Sequence, residues 1–94
     1  MSQNNIIDFL ISHKKEIESK FRVSKIGLFG SYALNKQTED SDIDILVSMP
    51  SDFDLYYDLK EYLESRLHKT VDLGIEKNLR ELVRRRIQRE VIYV

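Results

Sequence analysis

No cysteine occurs anywhere in the chain, which removes disulfides, thiolate metal centres and a cysteine nucleophile from consideration. No hydrophobic run is long enough to span a bilayer, and the first residues lack the basic-then-apolar layout of a secretory signal. The sequence therefore predicts a cytoplasmic protein without membrane contact. Excess charge of one sign is missing too: 15 Lys and Arg against 16 Asp and Glu leave a net charge of -1. That balance argues against direct nucleic-acid binding, whose electrostatic footprint is a strong basic surplus. Repeats, low-complexity tracts and Gly/Ser linkers are absent. The 94 residues, 41% hydrophobic and 33% charged, then suffice for a single domain over 1–94 with one core.

What the chain does have is concentrated between two apolar runs, Ile26-Gly27-Leu28-Phe29 and Ile45-Leu46-Val47. Between them lie Gly30-Ser31 and, beyond a polar loop from Asn35 to Ser41, Asp42-Ile43-Asp44. The pattern reads as strand, glycine turn, short helix from Ser31, loop and second strand. A Gly-Ser at the mouth of a helix offers unpaired backbone N–H groups and a hydroxyl to a phosphate, although a glycine turn with Ser31 as an ordinary N-cap has the same signature. Asp42 and Asp44 are two apart, so on a strand both carboxylates share one face with Cα atoms about 6–7 Å apart. Ile43, Ile45 and Val47 then face a core. Asp is disfavoured in strands, and two parallel carboxylates repel unless a cation lies between them. Thr70 to Ile75 repeats the alternation, with Val71, Leu73 and Ile75 on one face and Asp72 on the other. If these strands are neighbours, Asp42, Asp44 and Asp72 converge on a site that suits two divalent cations clamping a phosphoryl group.

The remaining segments supply the scaffold. Ile6, Leu10, Ile17 and Phe21, widened by Phe9 and Ile11, predict an amphipathic helix from Asn4 to about Lys20, with His13 on its solvated side. Val23–Phe29 reads as the first strand. Pro50 ends the second strand, Ser51 with Asp54 suggests a capping box, and Leu55, Leu59, Tyr62, Leu63 and Leu67 define the inner stripe of a helix from Asp52. Phe53, Tyr56 and Tyr57 make the start of that helix aromatic, which suits packing or partner contact ahead of the alternative, a platform for a nucleotide base. Asn78 is the expected cap of a last helix with Leu79, Leu82, Val83 and Ile87 inward. Its Arg80, Arg84, Arg85, Arg86 and Arg89 form either a solvated face, helped by Glu81–Arg85 and Arg86–Glu90 pairs, or a docking surface for triphosphate or an acidic partner. The apolar Val91–Val94 tail either returns to the sheet or meets another chain. The expected fold is α/β of the α+β kind: two layers, a mixed sheet with helices packed on one face, and a bare polar face as the floor of the site.

Gly30-Ser31-Tyr32, Asp42-x-Asp44 and Val71-Asp72-Leu73 together resemble the signature of the DNA polymerase beta nucleotidyltransferase superfamily. In so short a chain the likeness is to its minimal nucleotidyltransferase (MNT) domain proteins. The resemblance implies a Mg²⁺-dependent nucleotidyltransferase that moves AMP from ATP to a hydroxyl. Asp42 and Asp44 would bind both Mg²⁺ ions, Asp72 would complete the acceptor-side ion and help deprotonate the hydroxyl, and Gly30 and Ser31 would hold the departing pyrophosphate. It also implies a biological setting, in which such a protein is the antitoxin of a HEPN-domain ribonuclease toxin encoded by a neighbouring gene and modifies a toxin tyrosine. Two other functions share these residues: a non-catalytic module that neutralises its partner by occlusion, and a small-molecule transferase of the aminoglycoside-modifying type.

Overall fold

The computed structural model, which describes residues 1–94, orders the helices and strands largely as the hydrophobic periodicities demand. They are α1 (Gln3–Phe21), β1 (Lys25–Phe29), α2 (Gly30–Ala33), β2 (Ile43–Ser48), α3 (Phe53–Leu67), β3 (Val71–Ile75), a 3₁₀ turn (Glu76–Asn78), α4 (Glu81–Gln88) and β4 (Ile92–Tyr93). The sheet runs β3-β2-β1-β4. β1 is antiparallel to both β2 and β4, while β2 and β3 are parallel across the α3 crossover. This is the expected mixed sheet of an α+β fold. No helix is long and apolar enough to cross a membrane.

The main core lies between the sheet and the two long helices. Ile6, Leu10, Ile17 and Phe21 of α1 and Leu59, Tyr62, Leu63 and Leu67 of α3 meet Ile26, Leu28, Ile43, Ile45, Val47, Val71, Leu73 and Ile75 of the strands. Burying each such aliphatic side chain is worth about 1.5–3 kcal/mol, so this face holds most of the stability. Ile11, expected to widen the α1 stripe, is exposed.

Several boundaries differ from the sequence reading. β1 begins at Lys25 rather than Val23, α2 begins at Gly30 rather than Ser31, and Asp42 sits one residue ahead of β2. The cap of α3 is Asp52, whose carboxylate accepts from the Leu55 N–H at 3.1 Å, so the Ser51–Asp54 capping box does not form. Asn78 falls inside the 3₁₀ turn, and α4 starts three residues later with Arg80 as a cap that makes no side-chain bond. Of the stripe expected to face inward on α4, only Ile87 is buried, while Leu82 and Val83 are 79% and 44% exposed. Periodicity specified an apolar face, but no element is left to cover its first turn.

The second face of the sheet is not entirely bare. Leu46 is buried there, outside the main core, in register with Gly27 on β1 and Gly74 on β3. The C-terminal tail returns to the sheet: Ile92 and Tyr93 pair with Leu28 and Gly27, and the Val94 N–H donates to the Ile26 carbonyl at 3.0 Å. Gly27 is required for that return, because a Cβ on it would lie 2.8 Å from Val91 Cγ2, 2.9 Å from Tyr93 Cδ1 and 3.0 Å from the Ile92 carbonyl. We expect Gly27→Val to lift β4 off β1. Amide exchange should lose protection at Val94, and overpacking of about 1–3 kcal/mol should lower the melting temperature by roughly 10 °C. Retained protection at Val94 would show that β4 tolerates the side chain.

Candidate active site

Register builds the site. Phe29 on β1 faces Asp44 on β2, and Asp44 faces Asp72 on β3, so the three lie in one row across the sheet on the face away from α1 and α3. The next row along, Gly27, Leu46 and Gly74, is apolar or without side chains. Two carboxylates thus sit side by side on neighbouring parallel strands, as the alternation of Asp44 and Asp72 with their aliphatic neighbours dictates. Asp72 is exposed and Asp44 half-buried.

Gly30 follows Phe29 directly and has φ +72°, a left-handed conformation that only glycine adopts without cost. The turn folds its backbone onto Asp44, so a Cβ there would overlap Asp44 Oδ2 and stand 2.8 Å from its Cγ. Ser31 is the second residue of the four-residue α2, whose N-cap is Phe29 and carries no side-chain cap bond. Ser31 is therefore not an ordinary N-cap. The structure brings Gly30, Ser31, Asp44 and Asp72 to one end of the sheet. Asp42, exposed at the head of β2, is near enough for its charge to act on Asp44.

Burial, and then the Asp72 carboxylate beside it, push the Asp44 carboxyl up from 3.8 to about 6, with Asp42 and Glu90 adding in the same direction. Folding therefore takes up a proton between pH 4 and 6, where the unfolded chain has already released one. Stability is full below that window, declines as the pH rises through it, and stays reduced above. Metal-free Asp44→Asn protein should lack this decline and melt above the wild type at neutral pH. After discounting for the screening of a half-buried group, the gain is about 1–2 kcal/mol. Thermal melts from pH 4 to 8 in chelator measure it, and a variant that melts below the wild type at neutral pH would contradict the crowding of charge.

The chemistry of the donors fits a hard divalent cation, which takes carboxylate oxygens and would relieve the repulsion that raises Asp44. The side chains as placed do not gather three His, Cys, Asp or Glu residues into one metal-holding group. Asp44 and Asp72 form a pair, and Asp42 flanks it.

Two residues near the pair make contacts that the sequence reading did not foresee. The Tyr56 hydroxyl donates to the Leu73 carbonyl at 2.6 Å, and its phenol is pushed up by burial and then by the Asp72 charge. Glu90, expected to pair with Arg86 at i, i+4, instead accepts from the Gly30 N–H at 3.1 Å. The parallel expectation for Glu81 and Arg85 is met, at 2.8 Å. Nothing in sequence spacing links position 90 to position 30, since only β4 pairing carries the tail there.

Residues 10–94 match the family model of the nucleotidyltransferase domain. The chain belongs to the nucleotidyltransferase-domain family. This nucleotidyltransferase is 40% identical over 96 residues to the protein adenylyltransferase MntA of Thermococcus cleftensis, an alignment covering 100% of the chain and 97% of that relative. Its fold matches a minimal nucleotidyltransferase structure with a TM-score of 0.84 at 26% identity, over 98% of this chain and 95% of that one. It also matches a chain of a toxin–antitoxin crystal structure containing AMP-PNP, with a TM-score of 0.72 at 25% identity, over 99% of this chain and 72% of that one. The minimal-nucleotidyltransferase reading of Gly30-Ser31 and Asp42-x-Asp44 and the observed fold therefore agree.

Proposed function

We propose that this nucleotidyltransferase moves AMP from ATP to a tyrosine hydroxyl of a HEPN-domain ribonuclease partner and thereby acts as its antitoxin. The observation that carries the reading is the row in which Asp44 and Asp72 stand side by side beneath the Gly30 turn. Its support in kind comes from the 40% identical relative named as a protein adenylyltransferase and from the toxin–antitoxin structure with AMP-PNP.

In this reading Asp42 and Asp44 would hold two Mg²⁺ ions, and Asp72 would share the acceptor-side one. When bound, Mg²⁺ neutralises charge on the triphosphate and favours the ionised hydroxyl. Gly30 and Ser31 would seat the β- and γ-phosphates through a backbone N–H and a hydroxyl, donors that would stabilise the charge developing on the leaving group. Asp72, exposed on the edge strand, is open to an acceptor arriving from outside and would take part in removing its proton. The acceptor oxygen bonds to the α-phosphorus as the α–β bridging bond breaks, and pyrophosphate leaves with the electron pair. Asp72, at the open edge, and Gly30, at the mouth of α2, lie on opposite sides of Asp44, a separation suited to attacking and leaving groups on opposite sides of one phosphorus.

A second reading, neutralisation by occlusion, draws on the apolar surface that Phe53 (78% exposed) and Leu82 (79%) present. Intact mass of the partner encoded by the neighbouring gene, after incubation with the chain, ATP and Mg²⁺, separates the two. Gain of one or more AMP units supports transfer, whereas a stable complex with unchanged mass favours occlusion.

A further inference from the structure

We propose that Glu90 is a built-in occupant of the phosphate position. Its carboxylate accepts from the Gly30 N–H, and an incoming triphosphate must displace it. The inference rests on the reading of Gly30-Ser31 as the phosphate seat.

The contact joins residues sixty positions apart, with Gly30 N–H donating to Glu90 Oε1 at 3.1 Å. A carboxylate oxygen on a backbone N–H makes the same charge-assisted bond that a phosphate oxygen would. Glu90 lies in the turn between α4 and β4, and the residues after it are fixed: Val91 packs where Gly27 has no side chain, and Ile92 and Tyr93 pair with β1. That tether keeps the carboxylate at the Gly30 turn. The placement is electrostatically costly, since it adds a further negative charge beside Asp44, which already faces Asp72. The Arg86–Glu90 pair that the spacing suggested does not form, because α4 ends at Gln88 and Glu90 lies beyond it. Glu90 is thus spent on the Gly30 N–H.

The consequence is a threshold on ligand charge. Apparent affinity equals intrinsic affinity multiplied by the fraction of molecules in which Gly30 is free. A single phosphate exchanges one anion for another at the Gly30 N–H, whereas Mg·triphosphate adds further phosphate contacts and brings cations that offset its own charge beside the aspartates, so it displaces Glu90 where a single phosphate does not. Displacement needs rotation of the Glu90 side chain away from the Gly30 N–H, with Val91 and β4 left in place.

The test is a titration of Mg·AMP-PNP into wild type, Glu90→Gln and Glu90→Ala proteins by calorimetry, with the Gly30 amide resonance followed by NMR. The expected result is about tenfold tighter binding to Glu90→Ala, with Glu90→Gln between it and the wild type. The Gly30 amide should differ between wild type and Glu90→Ala without nucleotide and coincide at saturation. Equal or weaker binding by both variants, or a Gly30 amide that still differs at saturation, overturns the role of Glu90. If those proteins nevertheless transfer AMP normally, the proposed function survives that result. Absence of nucleotide binding by all three proteins would overturn the phosphate seat, and the Glu90 inference with it.

Discussion

An Asp42→Asn/Asp44→Asn protein is expected to lose AMP transfer by about 10³-fold or more while remaining folded. Charge stabilisation by bound cations contributes several kcal/mol to phosphoryl transfer, and about 4 kcal/mol corresponds to that factor in rate. Amides retain the shape of the carboxylates but bind Mg²⁺ weakly, so the loss falls on transfer. Stability moves the other way. Asp44 is half-buried against Asp72 and its carboxyl is pushed up to about 6, so its neutralisation removes a repulsion from the nucleotide-free protein. Lost activity with an unchanged or raised melting temperature is a combination that misfolding cannot produce. The readout is partner mass over time, alongside thermal melts. Transfer within tenfold of the wild type would remove these aspartates from catalysis. A variant that no longer modifies the partner yet still suppresses its activity would assign neutralisation to contact alone.

The parts of this site that were legible in sequence are those governed by local alternation. Asp44 between Ile43 and Ile45, and Asp72 between Val71 and Leu73, must face away from a core that buries the four aliphatics, and parallel pairing then sets them opposite each other. Gly30 was legible as a turn, and the depth to which that turn packs on Asp44 emerged only in three dimensions. Cap identity was less legible, because Ser51 and Asp52 are both good caps and one residue decides which carbonyls and N–H groups meet. The left-handed ends of α1 and α3, at Arg22 (φ 56°) and His68 (φ 57°), carry side chains where glycine is the usual signal. The outward face of α4 was illegible for a different reason. Its Leu82 and Val83 have the spacing of a core stripe, and whether such a stripe is covered depends on where α1, α3 and the tail are spent. Glu90 illustrates the same limit, since its helical partner Arg86 was visible in the spacing while its true partner depended on the return of β4.

Gly30→Ala should separate stability from activity in the opposite proportion to most glycine substitutions. The left-handed backbone at φ +72° costs a non-glycine residue about 1–2 kcal/mol, which for a domain of this size lowers the melting temperature by roughly 5–15 °C. The added methyl would also overlap Asp44 Oδ2 and stand 2.8 Å from Asp44 Cγ and 3.1 Å from its Cβ. The oxygen is the end of a side chain and can swing, so the overlap is relieved cheaply in energy. It is relieved by rotating Asp44 out of the row it shares with Asp72. Activity should therefore fall by about 10²-fold or more at a temperature where the variant is fully folded, in line with the cost of small misplacements in phosphoryl-transfer geometry. Transfer rates and nucleotide affinity measured well below the variant's melting point decide the matter. A loss that merely tracks the unfolded fraction would mean that Gly30 serves the turn alone, and that neither Asp44 nor the phosphate depends on its missing side chain.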